Sequence, residues 1–139
     1  MKALRFDAVQ IGDALPGLAE GPISRHTLGL YAGASSDYNP LHIDIDFARK
    51  VGMPDVFAHG MLSMAYLARV LIHWVNQGAM RRMGVRFVAI THVGDEVRCQ
   101  AKVTDKFIQD GEKRVALELT VHNQCGELKL SGSAVVALD

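Results

Sequence analysis

Three residues in the first half of the chain carry side chains suited to acid–base chemistry. Asp37, Asn39 and His42 place a carboxylate, an amide and an imidazole within one short stretch. Pro40 disfavours a helix at Asn39, so this stretch is predicted to be a kinked turn or loop. An unperturbed imidazole titrates at roughly pH 6.5, which suits proton exchange near neutral pH. A carboxylate and an imidazole that both reach one water molecule and one substrate carbon would form a water-activating site.

A second feature, Gly60, lies at the predicted start of a long apolar helix. Its N–H has no partner within the helix and lies at the positive end of the helix dipole. A peptide N–H without an obstructing Cβ is a good donor to a developing oxyanion. Thioester enolates need such a donor when a proton is removed beside the carbonyl group.

His59 and Ser63 lie close to Gly60 and are weaker candidates. We expect His59 to orient the loop or to cap the helix, and the functional alternative is a catalytic role or a substrate contact. Ser63 lies one turn into the helix and is a candidate substrate contact. Taken alone, Asp37 and His42 would usually cap a turn or face water, and it is their combination with the other motif residues that favours a functional site.

The string His42-x-Asp44-x-Asp46 has the composition of a metal site. The residues from Asp46 onward nevertheless have the pattern of a helix start with an acidic first turn. Capping is the better interpretation, and we expect no bound metal.

The elements that must position these residues change in type along the chain. Signals are helical or irregular up to about residue 77 and strand-like after Gly78. Apolar residues recur at helical spacing over 61–75 and occupy nearly every face, which predicts a buried helix at the axis of the domain. Alternation predicts strands over 80–89, 95–107, 113–123 and 128–138, a shorter strand near 18–23, and helical fragments near 26–33 and 47–51. Helices followed by a run of strands predict an α+β fold with an antiparallel sheet wrapped on a helix.

Composition narrows the class of protein. The chain has 139 residues, of which 49% are hydrophobic, enough for one core and short for two domains. Its 15 basic and 15 acidic residues cancel, which removes the attraction to phosphates that drives nucleic-acid binding. Weak self-repulsion at zero net charge favours association with a partner subunit. We therefore expect one domain over residues 1–139 that does not bind nucleic acid.

The apolar segments and the cysteines of the sequence indicate the cellular compartment in which the protein is expected. No stretch approaches the roughly 20 apolar residues of a membrane span, and residues 1–10 lack the apolar run of a signal peptide. Cys99 and Cys125 lie in strand-like regions and form no CxxC pair, so we interpret both as apolar fillers in a reducing compartment. These observations predict a cytoplasmic protein with no membrane partner.

The motif DxNxxH at residues 37–42, followed by HGM at 59–61, resembles the hydratase 2 signature of MaoC-like dehydratases. The resemblance extends from residues 10–13 to the final strand, essentially the whole chain. It implies a single MaoC-like domain with the hot dog fold, in which an antiparallel five-stranded sheet wraps around a long central helix. Two such subunits pair edge to edge in that family.

The resemblance also implies residue roles and a reaction. Asp37 and His42 match the catalytic pair that binds and polarises water, Asn39 the amide that holds the water or orients the pair, and Gly60 the donor to the thioester carbonyl. Some relatives use a serine in the vicinity of Ser63. The implied reaction is reversible syn addition of water to a trans-2-enoyl thioester of coenzyme A or acyl carrier protein, giving the (3R)-hydroxyacyl form. The implied reaction needs neither a metal nor an organic cofactor. Either Asp37 or His42 could act as the acid or as the base.

Arg81, Arg82 and Arg86 form a basic cluster on the first long predicted strand. Their alternation predicts a solvated sheet edge. Arginine also suits bidentate binding of phosphate, so a contact with coenzyme A or with the phosphopantetheine arm of a carrier protein is the functional alternative. Arg86 is the candidate substrate-binding residue of the three.

Two functional alternatives stay open beside an active homodimer. Some family members work only as heteromers with a related, catalytically degenerate chain. Since this chain keeps the catalytic residues, it would be the active half of such a heterodimer. The other alternative is an acyl-CoA thioesterase on the same fold, against which the Asn39-Pro40-x-His42 context argues.

Overall fold

Five antiparallel strands form one sheet in the computed structural model, which describes residues 5–139. The strands are β1 (Leu18–Glu20), β2 (Met80–Phe87), β3 (Val97–Gln109), β4 (Glu112–His122) and β5 (Leu128–Leu138). The helices are α1 (Arg25–Ser35), α2 (Ile45–Lys50) and α3 (Gly60–Trp74), and 3₁₀ turns occupy Phe6–Ala8, Pro40–His42 and Gln77–Ala79. Residues 1–4 of the predicted domain lie outside the described residues. The predicted α+β class is confirmed.

The sheet has the order β1-β3-β4-β5-β2, so β1 and β2 are its edge strands. Alternate residues of β3 and β4 point into the core and are buried, namely Val97, Cys99, Ala101, Val103, Val115, Leu117, Leu119 and Val121. Asp110 and Gly111 join the two strands, and both have the positive φ that a tight hairpin turn requires. The hairpin predicted at this dipeptide is confirmed.

The long helix α3 packs against β1, β3 and β4. Its buried residues are Leu62, Ser63, Leu67, Val70 and Leu71. Met61 and Ile72 are 52% and 40% exposed, so the prediction of a helix buried nearly all round is wrong. One sheet covers one side of a helix, and an apolar composition does not reveal which side is left open. None of the helices within residues 5–139 has the length and apolar character needed to cross a membrane.

Strand β2 ends at Phe87, two residues before its predicted end. The carbonyl oxygen of Lys129 accepts hydrogen bonds from the N–H groups of both Val88 and Ala89, at 2.8 and 3.3 Å. Because one acceptor serves two successive donors, the regular ladder stops there. The chain then crosses toward the start of α3.

The two cysteines differ from each other in position. Cys99 is buried on β3, as predicted for an apolar filler, and burial raises the pKa of its thiol to about 12. Cys125 is exposed in the turn after β4, so its interpretation as an apolar filler in a strand-like region is wrong. The side-chain oxygen of Asn123 accepts the Cys125 N–H at 3.0 Å and closes that turn.

Candidate active site

The segment that follows α1 is shaped by side chains that bond to nearby backbone groups. Ser36 ends α1 in the left-handed region, with φ 58. Asp37 Oδ1 accepts the Asn39 N–H at 3.3 Å, and Asn39 Oδ1 accepts the Leu41 N–H at 3.1 Å. Pro40 then begins a 3₁₀ turn, because the N–H that proline lacks is not needed at that position. The predicted loop is therefore a kink followed by one helical turn.

His42 ends this turn with a defined tautomer. Its Nδ1 lies 2.7 Å from the carbonyl oxygen of Phe57, which can only accept a hydrogen bond, so Nδ1 carries the proton of the neutral ring. Nε2 is then left with a free lone pair, as a general base requires. The Phe57 ring meets the imidazole edge-on, with centroids 5.0 Å apart, and restricts its rotation.

His59 is buried beside His42 and connects it to the Asp37 segment. Its Nε2–H donates to the carbonyl oxygen of Asp37 at 3.1 Å, and its ring stacks on His42 with centroids 3.9 Å apart. Tyr31 packs edge-on against the same ring, at 4.9 Å. Burial lowers the pKa of His59, so this ring stays neutral at pH 7. His59 thus bonds to the loop, and its side chain does not cap α3.

Asp37, His42 and His59 each bring one potential ligand atom within 4.8 Å of the others. The two imidazoles are stacked with an angle of 29° between their planes. Each ring also commits an N–H to a backbone carbonyl. The arrangement suits proton transfer between a carboxylate, a water molecule and an imidazole better than tetrahedral metal binding.

The acidic residues after His42 are used to cap α2. Asp44 Oδ1 accepts the N–H groups of Asp46 and Phe47, at 3.0 and 3.1 Å. Asp46 lies in the first turn of the helix, where a negative charge is favourable. The predicted capping interpretation of this string is confirmed.

Gly60 is the first residue of α3, and its N–H has no hydrogen-bond acceptor within residues 5–139. A Cβ at this position would approach the Phe87 ring to 2.7 Å, closer than real side chains pack. The glycine is therefore required by the neighbouring ring. It also leaves a free backbone donor in contact with an aromatic wall.

A mostly apolar cavity of about 460 Å³ opens beside this donor. Its walls are Phe57, Ala58, Gly60 and Met61 on one side and residues 87–91 with Leu130 on the other. The sequence did not single out Phe87 or Ile90 as site residues, although both are apolar and exposed, at 51% and 40%. Their proximity to Gly60 depends on the crossing after β2, which no local pattern reveals.

The structure does not bring Ser63 to this cavity. Ser63 is 1% exposed, on the buried face of α3, and is not among the residues that line the cavity. Its hydroxyl and the Nδ1 of His59 are both buried without a hydrogen-bond partner within residues 5–139. Ser63 is therefore not placed to contact a substrate in this cavity.

The arginine cluster divides into paired and free members. Arg81 forms a bidentate ion pair with Glu112, with N–O distances from 2.7 Å, and holds the pKa of that carboxyl at about 2. Arg82 and Arg86 are exposed on β2 and have no ion-pair partner within the described part of the chain. Arg86 directly precedes the cavity residue Phe87.

A known protein family, curated proteins and solved structures resemble this chain in sequence and in fold. The family described as MaoC like domain matches residues 7–124. An (R)-specific enoyl-CoA hydratase of Rhodospirillum rubrum is 31% identical over 116 residues, which cover 82% of this chain and 78% of that relative.

Solved structures resemble it over nearly its full length. An (R)-hydratase from A. caviae involved in PHA biosynthesis has a TM-score of 0.80 at 26% identity, covering 95% of this chain and 98% of that one. The ChsH1-ChsH2 complex from Mycobacterium tuberculosis has a TM-score of 0.78 at 20% identity, covering 94% of this chain and 98% of the matched chain. At that identity the likeness concerns the fold alone. The predicted hot dog fold is confirmed by these neighbours.

Proposed function

This chain belongs to the MaoC-like domain family, and we propose that its Asp37–His42 site adds water to trans-2-enoyl thioesters and removes it from (3R)-hydroxyacyl thioesters. The class of reaction, reversible hydration of an enoyl thioester by a hydro-lyase, is that of its relatives. The observation that carries the site assignment is the 2.7 Å bond from His42 Nδ1 to the Phe57 carbonyl. That bond leaves Nε2 free to accept a proton.

In the hydration direction, both added groups come from one water molecule. His42 Nε2 takes a proton from the water while the water oxygen forms its bond to C3 of the enoyl group. Asp37 accepts a hydrogen bond from the other proton and orients the water. The C2=C3 electron pair moves toward the carbonyl group, and an enolate forms. The imidazolium of His42 then returns its proton to C2 from the same face, which makes the addition syn.

Gly60 supplies the donor for the enolate oxygen. Its free N–H lies at the start of a helix fifteen residues long, where the dipole favours negative charge. The cavity beside it is mostly apolar, and an acyl group that fills it would displace water and thereby strengthen this hydrogen bond. The side-chain nitrogen of Asn39 has no partner within residues 5–139 and is available to hold the attacking water.

The substrate carrier and the partner subunit complete the proposal. Arg82 and Arg86 are exposed on β2, whose last residue Phe87 lines the cavity, and are suited to the phosphates of coenzyme A or of a carrier-protein arm. Strand β2 is an edge with free backbone groups and exposed apolar residues beyond its end, features that favour pairing with a second strand. We infer a dimer through this edge, with a second copy or with a related chain. That residues 1–139 form one such domain in the cytoplasm stays a prediction.

Hydration of crotonyl-CoA by the purified chain tests this function. We expect the enoyl absorbance to fall, the product to be (3R)-3-hydroxybutyryl-CoA, and no free thiol to appear. Release of free thiol without a hydroxyacyl product would identify a thioesterase instead. The mass in solution, measured on the same sample, distinguishes a self-sufficient homodimer from a chain that needs a partner.

A further inference from the structure

A buried charge cluster contacts the loop of residues 88–95 and takes no part in the proposed reaction. That loop supports residues 57–60, which we call the catalytic segment. Lys129 on β5 is only 1% exposed, which is rare for a lysine unless it is paired. Its Nζ donates to Glu127 Oε2 at 2.6 Å and to the carbonyl oxygen of Ile90 at 2.7 Å. The Asp95 carboxylate lies 3.5 Å away. The ammonium group thus joins the start of β5 to the loop that follows β2.

Asp95 fixes the far end of that loop. Its carboxylate accepts the His92 N–H at 2.9 Å, the Gln124 side-chain amide at 3.2 Å and the Asn123 side-chain amide at 3.4 Å. Burial raises the pKa of Asp95, but these hydrogen bonds and the Lys129 charge outweigh burial and lower it below its usual value. The Asp95 carboxyl is therefore ionised at neutral pH.

The loop between these two anchors, residues 88–95, holds the catalytic segment. The carbonyl oxygen of Thr91 accepts the Ala58 N–H at 2.9 Å, and Phe57 pairs with His92 in an isolated bridge. The Phe57 carbonyl is the group that sets the tautomer of His42. Gly60 follows two residues after Ala58. The loop of residues 88–95 therefore supports both the base, His42, and the oxyanion donor, Gly60.

We propose that Lys129 is a positioning residue for the reaction. Its buried ammonium fixes the 88–95 loop through the Ile90 carbonyl, and that loop sets the positions of the Phe57 carbonyl and the Gly60 N–H. This inference rests on the proposed function, since it concerns the same base and the same donor. A buried ion pair contributes little net stability, because desolvation offsets its attraction, so the consequence of the pair here is geometric.

Lys129→Met tests the proposal, because methionine fills the site but cannot bond to the Ile90 carbonyl. The matched control is Arg114→Met, which removes a cation from Glu112 and Asp110 at the opposite end of β4. Both variants are compared with the wild type at a temperature where circular dichroism shows them folded. The measurements are kcat and KM for crotonyl-CoA and the imidazole ¹⁵N signals of His42.

For Lys129→Met we expect kcat to fall roughly 10- to 100-fold with little change in KM, because small displacements of reacting groups have effects of this size. The Nδ1–H signal of His42 should weaken or exchange faster. Arg114→Met should match the wild type in both. A Lys129→Met variant with wild-type kcat and an unchanged His42 signal would overturn the proposal.

A second variant covers the case in which Lys129→Met does not fold. Lys129→Met combined with Asp95→Asn leaves no uncompensated buried carboxylate and keeps an acceptor for the His92 N–H. The same fall in kcat is expected. If this double variant also fails to fold, the role of Lys129 is structural and the proposal is wrong. The ¹⁵N measurement needs no substrate, so it separates a failure of this inference from a failure of the hydratase assignment.

Discussion

The β3–β5 sheet and the segment from residue 36 to residue 60 are held in place in opposite ways. In the sheet, buried apolar residues alternate along three strands, and each contact is supported by similar neighbours. In the segment, His42 and His59 each depend on one ring hydrogen bond to a backbone carbonyl. Changes in the sheet should therefore alter stability, whereas changes in the segment should alter chemistry.

The largest effect on chemistry is expected from His42→Ala, which removes the base from the segment. Loss of a general acid–base group typically lowers kcat roughly 10²–10⁴-fold. His42 is only half-buried, so the melting temperature should change little. Crotonyl-CoA hydration and thermal unfolding, measured on the same preparation, check both statements. Wild-type turnover in His42→Ala would remove this residue from the mechanism.

The opposite outcome is expected from Leu117→Ala in the sheet. Leu117 is fully buried on β4, and truncating such a leucine costs about 2–5 kcal/mol of unfolding free energy. Turnover per folded molecule should stay at the wild-type value, because the segment keeps its hydrogen bonds. Urea unfolding and kcat at low temperature make the comparison. A large loss of kcat in the folded variant would show that the two regions are coupled.

Gly60→Ala should have an intermediate effect, because the added methyl group disturbs the packing around the backbone donor but does not remove the donor. The new Cβ would meet the Phe87 ring at 2.7 Å, so the ring or the helix start must shift. We expect kcat to fall about tenfold, less than the roughly 10²–10³-fold loss on deleting an oxyanion donor. Combining it with Phe87→Leu should restore part of the activity. No recovery in the double variant would mean that the steric explanation is wrong.

The smallest effect is a pH dependence of stability that comes from His59. Burial lowers the pKa of His59 in the folded state, so between the folded and unfolded pKa values the unfolded chain binds more protons. Its contribution to the unfolding free energy is complete above the ordinary histidine pKa of about 6.5 and decreases as the pH falls below it. His59→Gln should show a smaller decrease, measured by urea unfolding at several pH values.

His73→Gln is the matched control, because His73 is an exposed histidine on α3, the helix that follows His59. It should keep the pH dependence of the wild type. An equal reduction in both variants would show that burial of His59 is not the cause.

The same contrast explains how much the sequence could predict. Strand β5 was predicted over residues 128–138 and observed as Leu128–Leu138, and α3 was predicted within one residue, because hydrophobic periodicity is a local signal. The candidate residues Asp37 and His42 can be named from the sequence because they lie in one short motif, and their catalytic role stays a prediction. Their partners are distant in sequence: the acceptor for His42 is the Phe57 carbonyl, and Phe87 reaches Gly60 only through the crossing after β2. No local pattern encodes such contacts.

Two wrong predictions have the same origin. The exposed side of α3 could not be told from its buried side, because both are apolar and only the position of the sheet distinguishes them. Cys125 is interpreted as an apolar filler in a strand-like region, whereas β4 ends at His122 and the Asn123 side chain closes a turn that leaves Cys125 exposed. The local sequence decided neither outcome. The position of the sheet decides which side of α3 is exposed, and turn chemistry after β4 decides the position of Cys125.

The most direct test of the account is the protonation state of His42 in the folded, substrate-free protein. Imidazole ¹⁵N NMR at a pH where the ring is neutral distinguishes a protonated Nδ1 from a protonated Nε2. We expect the proton on Nδ1, bonded to the Phe57 carbonyl, with Nε2 free to receive a proton from water. A neutral ring protonated at Nε2 would contradict this assignment, because His42 would then have no free lone pair on Nε2 to accept a proton from water.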